Sequence, residues 1–131
     1  ALSLLTVMAM TTANAIIVPL QCEFFALEGL SQLIKTIERV KQNLNPGLSI
    51  DGIVLTMYDS RNKLSSQVAT DVRNHLREQV YETIIPRNVR VSEAPSFGMP
   101  ALIYDQRASG SRAYLSLANE VIKQNKEQEA A

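Results

Sequence analysis

The sequence predicts an α/β fold with a parallel sheet and flanking helices, and three observations support this prediction. Short runs rich in β-branched residues at 16–18, 53–57 and 81–85 alternate with longer amphipathic segments. Such alternation is typical of parallel sheets with right-handed crossovers. The first two runs are almost entirely apolar, as strands covered on both faces are. With 131 residues, 46% hydrophobic and 20% charged, the composition is that of one globular domain.

The amino-terminal part carries no charge before Glu23. A charge-free run of this length is compatible with a membrane span. However, Ser, Thr, Asn and Pro residues interrupt the run, and it lacks the basic flank of a signal peptide. We therefore expect a helix over about 2–13, a turn near Asn14, and a buried strand over 16–18 that ends at Pro19.

Two amphipathic helices are expected next. In the first, apolar residues recur at three- and four-residue steps until Asn45-Pro46-Gly47 ends the helix. Its inner face is predicted to contain Leu27, Leu30, Ile34, Ile37, Lys41 and Leu44. The strand at 53–57 and a polar loop at 58–63 precede the second helix, for which Ser65 or Ser66 can supply the N-cap. The inner face of the second helix is predicted to be Val68, Val72 and Leu76.

The carboxyl-terminal third begins with a strand at 81–85, which should end before Pro86 because proline cannot donate to a strand ladder. We expect a surface loop from there to Pro100 and a short edge strand at 101–104. A last helix follows Ser109-Gly110-Ser111 and should fray from Lys123 onward. The inward positions predicted for this helix are Tyr114, Leu117, Ala118, Val121 and Ile122.

The residues alone do not identify an enzyme. The five glycines are isolated, so there is no glycine-rich phosphate loop, and no C-x-x-C, H-E-x-x-H or nucleophile elbow occurs. We expect Cys22 to be buried and inert and His75 to be a solvated helix residue. The net charge is zero, so any binding of nucleic acid requires a local basic patch.

Such a patch is predicted at one edge of the sheet. Parallel strands place their carboxyl ends together, and open α/β sheets bind ligands beyond those ends. The segments that should meet there are 21–23, 58–63 and 86–90. They bring Arg61, Arg87 and Arg90 to one rim, although surface arginines also serve solubility alone.

Several segments resemble the carboxyl-terminal half of the ParA/Soj partition ATPases. The resemblance covers nearly the whole chain, and its most specific part is Pro-Arg-Asn-Val-Arg-Val-Ser-Glu-Ala-Pro at 86–95. The other matching segments are 2–6, 19–30, 55–61 and Tyr104-Asp105. The resemblance implies a partial P-loop-type, Rossmann-like sheet from a deviant-Walker ATPase. It also implies ATP and Mg²⁺ as cofactors, an ATP-driven homodimer, binding to double-stranded DNA without sequence preference, and a ParB-like partner that stimulates hydrolysis. Its role would be chromosome or plasmid partition at the nucleoid in the bacterial cytoplasm.

The same resemblance assigns roles to five residues. Pro86 and Asn88 match the family's adenine-side loop, and Met57 is expected near the base, with plain core packing as the alternative. Arg61 and Arg90 match DNA-contacting arginines, and a guanidinium suits phosphate through forked hydrogen bonds. No catalytic residue or metal ligand is assigned.

In that family the phosphate-binding loop and the Walker B strand precede the point that matches Ala1. We therefore expect 1–131 to be the carboxyl-terminal portion of one ATPase domain, without hydrolysis of its own. An apolar edge beside the strand at 16–18 should be exposed and should drive self-association. Two alternatives remain: a non-catalytic DNA- or protein-binding module on the same half-fold, and another deviant-Walker ATPase. The polar end at 126–129 argues against a membrane-targeting helix.

Overall fold

The computed structural model describes residues 3–131, and within them three strands form one parallel sheet. The strands are β1 (Ala15–Gln21), β2 (Ser49–Tyr58) and β3 (Val80–Pro86), paired in the order β1-β2-β3. The helices are α1 (Leu4–Thr12), α2 (Ala26–Asn43), α3 (Lys63–Leu76), α4 (Val89–Glu93), α5 (Ala101–Tyr104) and α6 (Ser109–Ala130). The predicted α/β fold with a parallel sheet is confirmed. Leu2, where the first helix was expected to begin, lies outside the described residues.

Helices cover both faces of the sheet. On one face, Ile53 and Leu55 of β2 are fully buried against apolar residues of α2 and α3, including Leu30 and Val72. On the other face, a cluster of Val54, Tyr81 and Ile85 is covered by α6. Because successive strand residues point to opposite faces, the unbroken apolar run in β2 follows from this double cover.

Helix α1 packs at the amino-terminal end of β2. Its buried residue Met10 joins a cluster with Ile37 and Val40 of α2 and with Leu48. The Asn45 side-chain amide donates to the carbonyl oxygens of Met10 and Ala13, each at 2.9 Å. These bonds satisfy two carbonyls at the end of α1, where helices leave such groups unpaired.

Strand β1 continues through Pro19, so the prediction that it ends there was wrong. The amide of Cys22 donates to Thr56 O at 3.1 Å, which places alternate β1 amides toward β2. Pro19 lies three residues before Cys22, so its backbone nitrogen points away from β2, toward the open edge of the sheet. Proline is tolerated on that side because no partner strand requires its missing N–H.

The α3 N-cap is Asn62 and not Ser65 or Ser66. Asn62 Oδ1 accepts from the amide of Leu64 at 2.9 Å. Ser65 is buried, and its Oγ instead accepts from the amide of Asp59 at 3.3 Å. The serine thus fastens the loop after β2 onto α3.

Segment 86–104 is more helical than predicted. Asn88 caps α4, a 3-10 turn at Ala94–Phe97 follows, and 101–104 form α5 where an edge strand was expected. The aromatic rings of Phe97 and Tyr104 stack with centroids 5.0 Å apart, which requires both short segments to fold back on each other. These contacts are not local in sequence and leave no periodic signal.

The inner face predicted for helix α6 is confirmed at Leu117 and Val121 and is wrong at its other three positions. Ala113, Leu117 and Val121 pack on the cluster that includes Tyr81, whereas Tyr114 and Ile122 are exposed. Ala118, also predicted inward, is exposed too. The predicted fraying from Lys123 was wrong as well, since the helix continues to Ala130.

Strand β3 contains an irregularity that α6 holds in place. Ile53 pairs with Val80 and Leu55 pairs with Ile84, so three residues of β2 (53–55) lie opposite five of β3 (80–84). The carboxylate of Glu120 on α6 accepts from the consecutive amides of Glu82 and Thr83, at 2.8 and 2.9 Å. Burial raises the pKa of Glu120, but these hydrogen bonds and the nearby Arg73 charge outweigh it, so the pKa lies below the ordinary 4.5.

Gly52 of β2 lies directly against the ring of Tyr81. A Cβ at position 52 would be 2.3 Å from Tyr81 Cζ. The Tyr81 hydroxyl donates to Asp51 Oδ2 at 2.9 Å, which fixes the ring in this place. Only glycine leaves room for that ring.

Candidate functional site at the carboxyl ends of the strands

The loops that follow the three strands meet at one edge of the sheet. The amide of Arg87, just after β3, donates to Tyr58 O at 2.9 Å, and the amide of Cys22, just after β1, donates to Thr56 O. The turns after Met57 and Ile85 therefore lie side by side, as the parallel topology requires.

A cleft of about 320 Å³ opens at this edge, between the ends of β1 and β2. It is lined by Cys22, Glu23, Phe24, Met57, Asp59, Asn62, Leu64, Ser65 and Arg87. Of the three residues predicted to contact a nucleotide, Met57 lines this cleft, and Pro86 and Asn88 lie next to it at the end of β3 and the start of α4. Cys22 is buried, as predicted, and burial raises the pKa of its thiol.

Met57 has a left-handed backbone, with φ of +53°. A residue with a side chain adopts this conformation only when its surroundings impose it, at a cost of about 1 kcal/mol or more. The surroundings here are the hydrogen bonds at Thr56 O and Tyr58 O on either side. They hold the last turn of β2 in place at the wall of the cleft.

Asn88 is bonded on both sides of its amide group. Its Oδ1 accepts from the amide of Val91 at 3.2 Å, and its Nδ2 donates to Ser109 Oγ at 2.9 Å. Gly110 permits this close approach of α4 and α6, because a Cβ there would lie 2.4 Å from Val91 Cγ2. One N–H and one lone pair of Asn88 remain for a ligand.

Arg61 is exposed and forms a forked ion pair within its own loop. Its Nε and Nη2 donate to Oδ1 and Oδ2 of Asp59 at 3.1 and 3.2 Å. Asp59 Oδ1 also accepts from the Arg61 amide at 3.0 Å. These hydrogen bonds from Arg61, with its charge, hold the pKa of Asp59 below its ordinary value.

Arg90, on α4, is paired with two acids. Its Nη1 lies 3.3 Å from Glu93 Oε2, and its Nε lies 3.5 Å from Asp105 Oδ2. The Tyr104 hydroxyl donates to the same Glu93 oxygen at 2.8 Å. No sequence pattern identified Arg90 as the partner of Glu93 and Asp105.

The two predicted DNA-binding arginines thus lie on separate segments of the same edge, Arg61 in the loop after β2 and Arg90 on α4, each with its own carboxylates. Over residues 3–131, no three or more His, Cys, Asp or Glu side chains are grouped so as to bind a metal ion. No helix in that range combines the length and the apolar character needed to cross a membrane.

Comparisons with known proteins identify relatives of nearly the whole chain. A family model described as an AAA domain matches residues 1–50. Chromosome partitioning protein ParA of Caulobacter vibrioides is 64% identical over 129 residues, which are 98% of this chain and 48% of that protein. Sporulation initiation inhibitor protein Soj of Bacillus subtilis is 51% identical over 120 residues, 92% of this chain and 47% of that protein.

A solved structure shares the fold. Cobyrinic acid a,c-diamide synthase from Mycobacterium smegmatis, with bound ADP and magnesium, superposes with a TM-score of 0.73 and 32% identity. The match covers 96% of this chain and 44% of that one. The chain therefore spans about half the length of the proteins it matches.

Proposed function

Because the chain is a homologue of the ParA/Soj chromosome-partitioning proteins and matches their carboxyl-terminal part, we propose that it forms half of an ATP-dependent partition protein. The observation that carries this proposal is the 64% identity with a partitioning protein over 98% of the chain. We propose further that 1–131 is one portion of a single ATPase domain, located in the bacterial cytoplasm at the nucleoid.

The nucleotide contact proposed for this half is with the base. The edge of adenine offers both a donor and an acceptor, and Asn88 retains one of each beside its bonds to Val91 and Ser109. Pro86 gives this loop a rigid start, and Met57 adds an apolar wall. The sequence contains no glycine-rich phosphate loop, and residues 3–131 contain no group of metal ligands, so they do not fit the phosphates or Mg²⁺. The other half of the protein would have to supply those contacts.

The proposed DNA contacts are made by Arg61 and Arg90. Both are solvent-exposed at the same edge of the sheet, with side chains 87% and 56% accessible. Contacts of arginine to phosphate position a protein on DNA without reading its sequence. In the intact protein we propose that ATP drives dimerisation and that a ParB-like partner stimulates hydrolysis, as the family resemblance implies.

A chimera tests the proposed function. Residues 1–131 are joined to the amino-terminal half of Caulobacter vibrioides ParA, which replaces the part that the 48% overlap leaves unmatched. We expect the chimera to hydrolyse ATP and to bind double-stranded DNA in an ATP-dependent manner, and the 131-residue chain to hydrolyse none. A folded chimera without turnover would favour the non-catalytic module instead, and robust turnover by the chain alone would contradict the assignment.

The base contact is tested by Asn88→Asp in the chimera. Aspartate keeps the oxygen that accepts from Val91, so the α4 cap survives, but it loses the N–H donors. Losing one hydrogen bond of about 1 kcal/mol should weaken ATP affinity about fivefold, measured by fluorescence titration. Asn125→Asp, on the exposed end of α6, is the matched control and should bind ATP normally. Equal affinities in the two variants would remove Asn88 from the site.

The DNA contact is tested by the double variant Arg61→Ala with Arg90→Ala in the chimera. The affinity for double-stranded DNA is measured at a series of salt concentrations. Each lost phosphate contact should reduce the slope of log K against log salt by about 0.9, so we expect a reduction of about 2. Lys35→Ala with Arg39→Ala removes the same charge from the exposed face of α2 and should leave the slope unchanged. DNA affinity that survives the first double change would show that the patch is misassigned.

We also propose that the chain on its own self-associates through the β1 edge. Within residues 3–131, strand β1 pairs with β2 on one side only, and the side chains of Ile17 on β1 and of Leu4 and Leu5 on α1 are exposed. Exposed apolar edges recruit partner strands. Size-exclusion chromatography with light scattering should show dimers of the 131-residue chain. A monomer at high concentration would contradict this proposal.

A further inference from the structure

Both proposed DNA-contacting arginines already hold carboxylates of their own chain. Asp59 takes the forked Nε and Nη2 edge of Arg61, and Glu93 and Asp105 contact Nη1 and Nε of Arg90. A phosphate uses the same forked edge of a guanidinium as a carboxylate does. A DNA phosphate and Asp59 therefore cannot occupy that edge of Arg61 at the same time.

Other hydrogen bonds hold these carboxylates in place. Oδ1 of Asp59 accepts from the amide of Arg61, and Oδ1 of Asp105 accepts from the amide of Arg107 at 3.1 Å. Glu93 accepts from the hydroxyl of Tyr104, whose ring stacks on Phe97. The carboxylates are thus part of the turns themselves and stay beside the arginines when a ligand arrives.

We propose that Asp59, Glu93 and Asp105 are built-in competitors of DNA phosphate, which keep the affinity of this surface for DNA low. The inference rests on the DNA contact proposed above, and it adds how the strength of that contact is limited. When a phosphate displaces a carboxylate from an arginine, the pair is lost and the displaced negative charge remains beside the phosphate. Exposed ion pairs of this kind change an equilibrium by about 1.4-fold to fivefold each.

Amide variants separate this role from a structural one. Asp59→Asn, Glu93→Gln and Asp105→Asn retain an oxygen that can accept the turn hydrogen bonds, but they remove the charge that competes with phosphate. If the acids served only to hold the arginines in position, their loss would weaken DNA binding or leave it unchanged. Competition predicts the opposite sign.

The experiment measures binding of a fluorescein-labelled duplex of mixed sequence to the chimera by anisotropy, in the presence of ATP, at about 50 mM and about 200 mM salt. The triple amide variant should bind about threefold to tenfold more tightly than the wild type at the lower salt concentration. The control triple variant is Glu38→Gln, Glu127→Gln and Glu129→Gln, which changes the net charge equally at exposed positions on α2 and α6. We expect it to gain clearly less than the first triple variant, and circular dichroism verifies the fold of both.

A second comparison ties the gain to the arginines. With Arg61→Ala and Arg90→Ala already present, the triple amide change should no longer tighten binding beyond the control triple. A gain that persists without the arginines, or a triple amide variant no tighter than its control, overturns the inference. In either case the proposed DNA contact stands if the double arginine variant binds more weakly than the wild type. If that variant binds as the wild type does, or if no protein binds the duplex, both fail together.

Discussion

Replacing Gly110 with alanine tests the contact that holds α4, with Asn88 and Arg90, against α6. A Cβ at position 110 would lie 2.4 Å from Val91 Cγ2 and 3.1 Å from Asn88 Cβ, whereas ordinary contacts are 3.4–4 Å. Either α4 or the Val91 side chain must therefore move by about an ångström. Overpacking of this kind costs about 1–3 kcal/mol, and the better helix propensity of alanine returns up to about 1 kcal/mol. We expect a net loss of about 1–2 kcal/mol in the free energy of unfolding.

Gly29→Ala is the matched control, because Gly29 also lies in a helix and a Cβ there would meet nothing within 4 Å. This variant should gain up to about 1 kcal/mol from helix propensity alone. The difference between the two variants, about 1–3 kcal/mol, isolates the steric effect at Gly110. Urea unfolding followed by far-UV circular dichroism measures both, with the m-value as a check on two-state behaviour.

Two further results decide the reasoning. Val91→Ala removes the nearest atom and should recover part of the loss when it is combined with Gly110→Ala. In the chimera, Gly110→Ala should also weaken ATP binding, because it separates Asn88 from Ser109. Equal stabilities of Gly110→Ala and Gly29→Ala would refute the contact, and so would a double variant that recovers nothing.

Three other predictions concern stability. Gly52→Ala, whose Cβ would enter the ring of Tyr81, should cost about 3 kcal/mol in urea unfolding, and a cost under about 1 kcal/mol would contradict the packing. Because the pKa of Glu120 is lowered in the folded state, its contribution to the free energy of unfolding is present above pH 4.5 and is lost as the pH falls through the folded-state pKa. Glu120→Gln should therefore flatten the fall of stability at acid pH, and an unchanged pH dependence would contradict this role. Met57→Gly should have a free energy of unfolding about 1 kcal/mol higher than that of Met57→Ala in urea unfolding. Both variants lose the side chain, but only glycine relieves the positive φ. Equal stabilities would show that the turn is not strained.

The three strands and helices α2 and α3 could be predicted because the sequence patterns that indicate them lie within each segment. The apolar runs at 16–18, 53–57 and 81–85 all became strands, and the three-to-four-residue spacing located α2 and α3. Helix α6 shows the limit of this approach. Its apolar residues occupy two adjacent stripes, and the stripe that faces the core is the one with Leu117, on the side where Glu120 accepts from the amides of β3. These two hydrogen bonds join residues that are 38 and 37 positions apart, so the periodicity of the helix sequence does not indicate them.

The sequence predicted where the candidate site lies, but it did not predict the hydrogen bonds and ion pairs that its residues form. Parallel topology alone brought the turns after Met57 and Ile85 together. The pairing of Arg90 with Asp105 depends on α4 and α5 folding against each other, and neither helix was expected. The role of Asn88 as a helix cap was also missed, although Asn88 followed by a short apolar segment is a recognisable N-cap signal.

The two outer strands of the sheet, β1 and β3, differ in how readily a further strand could pair with them. At β3, the amides of Glu82 and Thr83 are already bonded to Glu120, and the irregular register disrupts the template that a new strand would need. At β1, the border is open except where Pro19 lacks an N–H. Two copies joined through β1 would form an isologous pair whose outer strands both carry the Glu120 contact, which disfavours the addition of a further chain.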